Sequence, residues 1–258
     1  MAIIDYKIGD ILLINNKSKA QKLNLRAQRF IRKGQVVNAT HVALSLGDGI
    51  FIHADAATGV DIVFFEDMLG QSNGNWRVIK PSFINSANEE ELKKEAIYHF
   101  SKAYSFGFLK KEKDNALFCS QFVDKVFESI GFNLFEFKKS DKKNKFINAF
   151  PVDFENLFDI STDWVDVTNL YREGLNDHTF ALLRPQYSIR KTMVIISKRQ
   201  NSTSYGLLNT LRQMRDLTYL LPEENRDHEN LMGIECLIKE LEEEIGNRLY
   251  KFWSEPKT

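Results

Sequence analysis

Apolar residues along this chain fall first into short, strand-sized runs and later into helix-spaced stripes. After the Gly9-Asp10 turn, Ile11 to Ile14 form a continuous apolar run that suits a buried strand. Residues 40–46 alternate in the manner of a strand, Gly47-Asp48-Gly49 is a tight turn, and residues 50–54 return. This predicts a β-hairpin. Residues 60–65 and Trp76 to Lys80 read as two more strands, the second stopped by Pro81, with a polar turn at residues 71–75 between them. Ser86 and Glu89 form a capping box, and the helix they open is expected to reach about Ala103, with Leu92, Ala96, Phe100 and Ala103 on one face. An aromatic turn at residues 104–109 and a charged loop at 110–115 follow. A second helix is expected to start near Ser120. Its apolar stripe is Phe122, Val123, Val126, Phe127 and Ile130, and Gly131 stands where a helix end wants a left-handed residue.

Weaker patterns occupy the remainder. Residues 17–33 suggest a short helix or loop over the surface, and residues 133–149 a surface segment. Pro151 opens a short helix to Phe158. Residues 180–184 and 187–197 carry β potential, with Pro185 between them. Residues 200–204, Gln-Asn-Ser-Thr-Ser, read as a linker. Two amphipathic helices, at 205–221 and 229–252, then predict a C-terminal helical hairpin that packs on the core or joins a second copy or a partner protein. The expected division is residues 1–200 and 205–258. The fold class is α+β.

Composition narrows the function classes. Among 258 residues, 35 basic side chains balance 35 acidic ones, so no general nucleic-acid grip is expected. No apolar run is long enough to span a membrane. The start lacks the basic, apolar and small-residue order of a signal peptide. The expected location is cytoplasmic, or outside the cell by a route that needs no cleaved leader. With two cysteines, Cys119 and Cys236, no disulfide framework is expected. No Cys-x-x-Cys or His-Glu-x-x-His spacing is present, and no cofactor or metal is expected.

Cys119 stands at the start of the second helix, where free N–H groups and the dipole favour a thiolate. A nucleophilic thiol needs a base and a group that orients the base. His41 begins one strand of the hairpin and His53 ends the other, seven residues before and five after Asp48, so pairing brings them to one end. The N–H of Cys119 is a candidate oxyanion donor. Plainer roles compete: a lone helical cysteine usually packs, and two histidines beside Asp55 can bind a metal. Cys236, among Ile234, Leu237 and Ile238, reads as packing, and His99 reads as structural.

The ordered set Gly9-Asp-Ile-Leu-Leu, Thr40-His-Val-Ala-Leu, Gly47-Asp-Gly, Ile52-His-Ala, Gly59-Val and Phe118-Cys-Ser-Gln-Phe-Val resembles the circularly permuted, NlpC-type papain-like cysteine hydrolases. The pattern is that of the bacterial YiiX-like family, and the lecithin:retinol acyltransferase-like proteins are more distant relatives. The resemblance covers residues 5–160. It implies an antiparallel sheet or small barrel packed on the cysteine helix, Cys119 as nucleophile, His41 as general base, His53 as third polar residue and Tyr104 lining the substrate pocket. It implies a hydrolase working through an acyl-enzyme, most simply a peptidase or amidase. A lipid-directed acyl hydrolase or acyltransferase is the alternative, and a non-catalytic adaptor acting through the C-terminal helices is a third reading. The substrate is then a peptide or an acyl lipid. Gln121 stands where the family often has Glu, and Ser105 where Asp is common.

Overall fold

The computed structural model describes residues 6–16, 25–26, 28–30, 32, 36–70, 72–107, 115–135, 148–176 and 178–253. The chain divides into two compact units, Met1–Arg190 and Lys191–Thr258. The expectations for residues 17–24, 108–114 and 136–147 lie outside the described residues.

The first unit is built on a six-stranded sheet that runs, edge to edge, through residues 59–64, 50–55, 41–46, 8–16, 72–81 and 164–166, antiparallel at every pairing. Its strands are β1 (Ile8–Asn16), β2 (His41–Leu46), β3 (Ile50–Asp55), β4 (Gly59–Phe64), β5 (Ser72–Pro81) and β8 (Trp164–Asp166). A parallel pair, β6 (Ala103–Tyr104) and β7 (Ala116–Leu117), forms a second small sheet. The helices are α1 (Phe65–Leu69), α2 (Glu89–Tyr98), α3 (Cys119–Ser129), α4 (Pro151–Ile160) and α5 (Thr168–Asn176), together with the start of α6 (Thr179–Leu220).

Period-two alternation explains the layers. Leu12, Ile14, Ala43, Phe51 and Val78 share a core with Phe65 and Met68 of α1, Tyr171 of α5 and Phe180 of α6. The intervening residues Ile11, Leu13, Val42, Leu44, Ile52 and Ile79 are buried as well, so both faces of the sheet are covered. Helix α3 packs against β2 and β3, and α2 packs against β1 and α3. The hairpin forms as expected. Gly47, Asp48 and Gly49 all take positive φ, and Leu44↔Ile52 and Ser45↔Phe51 pair across the turn.

Several elements differ from expectation. Helix α2 is capped at Asn88 and ends at Tyr98; Ser86 is not its cap, and Ala103 belongs to β6. Helices α1 and α5 and strand β8 had no counterpart in the reading of the sequence. Residues 180–184 and 187–197 are helical, not strands, because their apolar residues recur at helical spacing: Phe180, Leu183 and Tyr187 all meet the aromatic core. Pro185 lies inside the helix without ending it. Residues 200–204 are likewise helical. Asn201 is buried and donates to the Tyr250 carbonyl, and Ser204 accepts from Arg248, so this polar stretch is a hydrogen-bonding surface and not a linker.

In the second unit, residues 191–220 of α6 pack against α7 (His228–Gly246). Leu208, Ile238 and Ile245 form the seam, with Leu211, Ile234 and Leu241 beside it. This is the expected helical hairpin. Cys236 is exposed, which corrects its reading as packing: the buried positions of α7 are Leu231, Ile238 and Ile245, spaced by seven, and Cys236 falls between them.

Candidate active site

The hairpin register determines how the two histidines meet. Pairing centred on the Asp48 turn puts Ala43 opposite His53, and His41 lies two residues along from Ala43 on the same face. His41 and His53 are therefore diagonal neighbours, a relation that long side chains can bridge. They do: His41 Nε2 and His53 Nδ1 are 2.8 Å apart, with the rings near perpendicular at 85°. Both rings are buried. Burial, reinforced by the facing His53, holds the His41 pKa well below its ordinary 6.5, so His41 is neutral at physiological pH.

Cys119 is the first residue of α3 and is fully buried. The backbone N–H groups of Val42, Ser120 and Cys119 act on its sulfur and favour the charged form. The Val42 donor matters for assembly, because it brings the sulfur to the backbone immediately after His41. The expectation of a thiolate at rest is corrected. Burial pushes the Cys119 thiol up to about 11, against the three N–H groups that pull it down, with Asp55 adding to the rise. In a fully buried site, desolvation outweighs the helix start, so the resting pair is thiol and neutral imidazole.

Tyr104 reaches the site through β6. Its register partner is Leu117, two residues before Cys119, and the charge of Cys119 acts on its hydroxyl. Burial first, then Cys119 and Asp55, raise the Tyr104 pKa, so the phenol stays protonated. Gly59 makes this placement possible. The Lys102 carbonyl accepts from Val60 N, and it lies 2.2 Å from where a Cβ on Gly59 would sit.

Further groups hold the two halves in place, among them Gln121 and Ser105, the two departures from the family pattern, and several that the sequence did not point to. Ser120 Oγ donates to the Ala149 carbonyl at 2.8 Å. The Gln121 side chain accepts from Phe118 N at 3.5 Å, so the amide takes an N–H at the helix start without adding a charge beside the sulfur. Ser105 Oγ accepts from Gly107 N and shapes a turn. The lead into His41 is gripped from outside. Gln28, fully buried, donates to the Ala39 carbonyl and accepts from Val152 N, while the Glu155 carboxylate accepts from Asn38 N and Ala39 N. Arg32 forms a bidentate pair with Asp153, which in turn caps α4 through Phe150 N. Asp55 had a legible signal, since it follows His53 by two on the same strand. Gln28 and Glu155 had none, being distant in sequence from both histidines and the cysteine.

His99 terminates α2 and is buried against Tyr98 and Phe122; His178 adopts a left-handed turn conformation and His228 opens α7. Among the described residues, no group of three or more His, Cys, Asp or Glu is arranged to hold a metal ion. No described helix is long and apolar enough to cross a membrane.

A family profile described as permuted papain-like amidase enzyme, YaeF/YiiX, C92 family, matches residues 5–149. Among solved structures, the chain is similar to the metalloprotein YiiX from Escherichia coli O157:H7, at 17% identity and a TM-score of 0.45, covering 63% of this chain and 96% of that one. A comparison with the curated proteins finds no match.

Proposed function

The chain belongs to the YaeF/YiiX (C92) family of permuted papain-like amidases, thiol-dependent hydrolases, and from that premise we propose that it cleaves an amide through an acyl-enzyme on Cys119. The observation that carries the reading is the 2.8 Å contact between His41 and His53, with the Cys119 sulfur on the N–H of the next residue, Val42. His41 is the general base. In its working tautomer His41 Nε2–H donates to His53 Nδ1, which leaves the Nδ1 lone pair to accept the thiol proton. His53 fixes the ring and the tautomer.

The steps follow from those roles. The Cys119 proton moves to His41 as sulfur attacks the carbonyl carbon. The N–H groups of Val42, Cys119 and Ser120 favour the negative charge as it forms, and that of Cys119 also serves the carbonyl oxygen. The C–N bond breaks, and the proton on His41 leaves with the amine. His41 then takes a proton from water, hydroxide attacks the thioester, and the acid departs with the cysteine restored. A thiol that is neutral at rest fits this scheme, because ionisation accompanies attack. A fully buried sulfur also means that groups over it must move before a substrate can enter. The half-buried ring of Tyr104, paired with Phe106 at 4.9 Å, supports its reading as a wall of the substrate pocket.

The test is turnover of short peptide amides by variants of the full chain. Cys119→Ala is expected to abolish it with the fold intact, while His41→Ala and His53→Ala lower kcat by about 10²–10⁴-fold. Undiminished turnover in Cys119→Ala sinks the assignment.

We further infer that a second copy is the partner of the C-terminal hairpin. Met193, Ile196, Gln200, Thr203, Leu207, Thr210, Met214 and Leu217 are all exposed and alternate at spacings of three and four, the seam of a coiled coil.

A further inference from the structure

A cleft of about 260 Å³ opens where β1 and β5 meet the segment leading into His41, lined by Leu13, Asn15, Asn38, Ala39, Asn75, Trp76, Arg77 and Glu155. Its place follows from the sheet. Leu13 pairs with Val42, whose N–H reaches the Cys119 sulfur, and Ala39 precedes His41 by two residues. Arg77 pairs with Leu13 from the other side, on β5.

The lining is chemically uneven. Its aliphatic members, Leu13 and Ala39, are almost fully covered, so they offer an acyl chain little surface. What the cleft presents is three carboxamides, one aromatic wall and one cation. Arg77 is held in place: its Nε donates to Asp166 at 2.8 Å, and its guanidinium lies 3.9 Å over the Phe158 ring. Its two terminal nitrogens make no hydrogen bond among the described residues, although the nearby Glu155 carboxylate feels the charge of the guanidinium. A fixed guanidinium with unused parallel donors is suited to a carboxylate. Glu155, the one anion in the lining, has both oxygens turned to the N–H groups of Asn38 and Ala39. Carboxamides donate and accept at once, which matches the amide groups of a peptide.

We propose that this cleft is a substrate subsite for a short peptide with a free carboxylate, the carboxylate on Arg77 and the peptide amides on Asn38 and Asn75. The inference rests on the reading of the chain as a thiol amidase and names its substrate class.

The test is binding to the full-length Cys119→Ala protein, followed by amide NMR shifts, with three probes: N-acetyl-dialanine, its C-terminal amide and lauroyl ethanolamide. The free-carboxylate peptide is expected to shift the Asn38 and Asn75 side-chain signals, and the C-terminal amide to bind about tenfold more weakly or worse. Arg77→Gln is expected to remove that preference. Asn75→Asp, an exposed change that leaves Arg77 and its partners untouched, is expected to weaken the free-carboxylate peptide by a similar factor through like-charge repulsion. Equal binding of the two peptides, no binding of either, an unchanged affinity in both variants, or shifts with lauroyl ethanolamide alone would overturn the proposal. Because no turnover is needed, binding as expected with no cleavage by the unmodified protein would refute the amidase reading instead.

Discussion

At the residue scale, the two cysteines differ in a way that chemistry can read. Cys236 is exposed and Cys119 is buried with its thiol pushed up to about 11. Iodoacetamide is therefore expected to label Cys236 first. In a Cys236→Ser background, labelling of native Cys119 is slow and climbs with pH toward that value, whereas an inflection below pH 8 would contradict a neutral resting thiol. Turnover follows the same logic. His41 is already neutral down to well below pH 6.5, so no acid limb from its titration appears near neutrality. His99 supplies the stability counterpart. Burial, with Lys102 and Lys125 nearby, lowers its pKa to about 3, and neither ring nitrogen has a hydrogen-bond partner. The unfolded chain takes up this proton near pH 6.5 and the folded one does not. Stability is therefore fully present above pH 6.5 and falls below it, by up to about 1.4 kcal/mol per pH unit from this group. His99→Phe keeps an aromatic ring against Tyr98 and Phe122 and removes the proton. It is expected to raise stability in urea unfolding at pH 5 relative to pH 7.5; an equal effect at both pH values would disprove it.

At the element scale, β6 tests what positions Tyr104. Gly59→Ala meets both a left-handed φ of 74° and the Lys102 carbonyl, whereas Gly74→Ala meets a φ of 86° and nothing within 4 Å. The expected costs are about 1 kcal/mol for Gly74→Ala and at least about 2 kcal/mol more for Gly59→Ala, read from urea midpoints. Equal costs would mean that the carbonyl contact carries no weight. Gln28→Leu probes the grip on His41. It leaves the Ala39 carbonyl and Val152 N without their buried partner, for an expected loss of about 2–3 kcal/mol and a lower kcat. The same elements explain what could be read from the chain. The hairpin was legible because a glycine turn and two alternating strands fix register locally, and register alone makes His41 and His53 diagonal neighbours. The cysteine helix was legible from its apolar stripe and its glycine end. The stretch from Phe180 to Ser197 was not, because its β-branched and aromatic residues suit a strand while Pro185 masks the helical period. Gln28 and Glu155 act across more than a hundred residues of sequence, which no local pattern encodes.

At the scale of the whole molecule, the second unit raises the question of assembly. Its internal seam of Leu208, Ile238 and Ile245 uses one side of α6. The stripe from Met193 to Leu217 lies exposed, extends about 36 Å at 1.5 Å per residue, and includes Leu217 at 64% exposure. Its three-four spacing is what two long helices need to interlock, and a specific dimer has to bury about 1,000 Å² or more along it. Gln200, Thr203 and Thr210 interrupt the apolar run, which weakens the pair but fixes its register. Light scattering across a concentration series is expected to show a reversible monomer–dimer equilibrium. Leu217→Glu, an exposed change costing the monomer no more than about 0.5 kcal/mol, should leave only monomer with unchanged amidase turnover. A wild type that stays monomeric at the highest concentration, or a Leu217→Glu protein that still dimerises, would rule the seam out. A loss of turnover that tracks dissociation would instead tie the amidase site to the dimer.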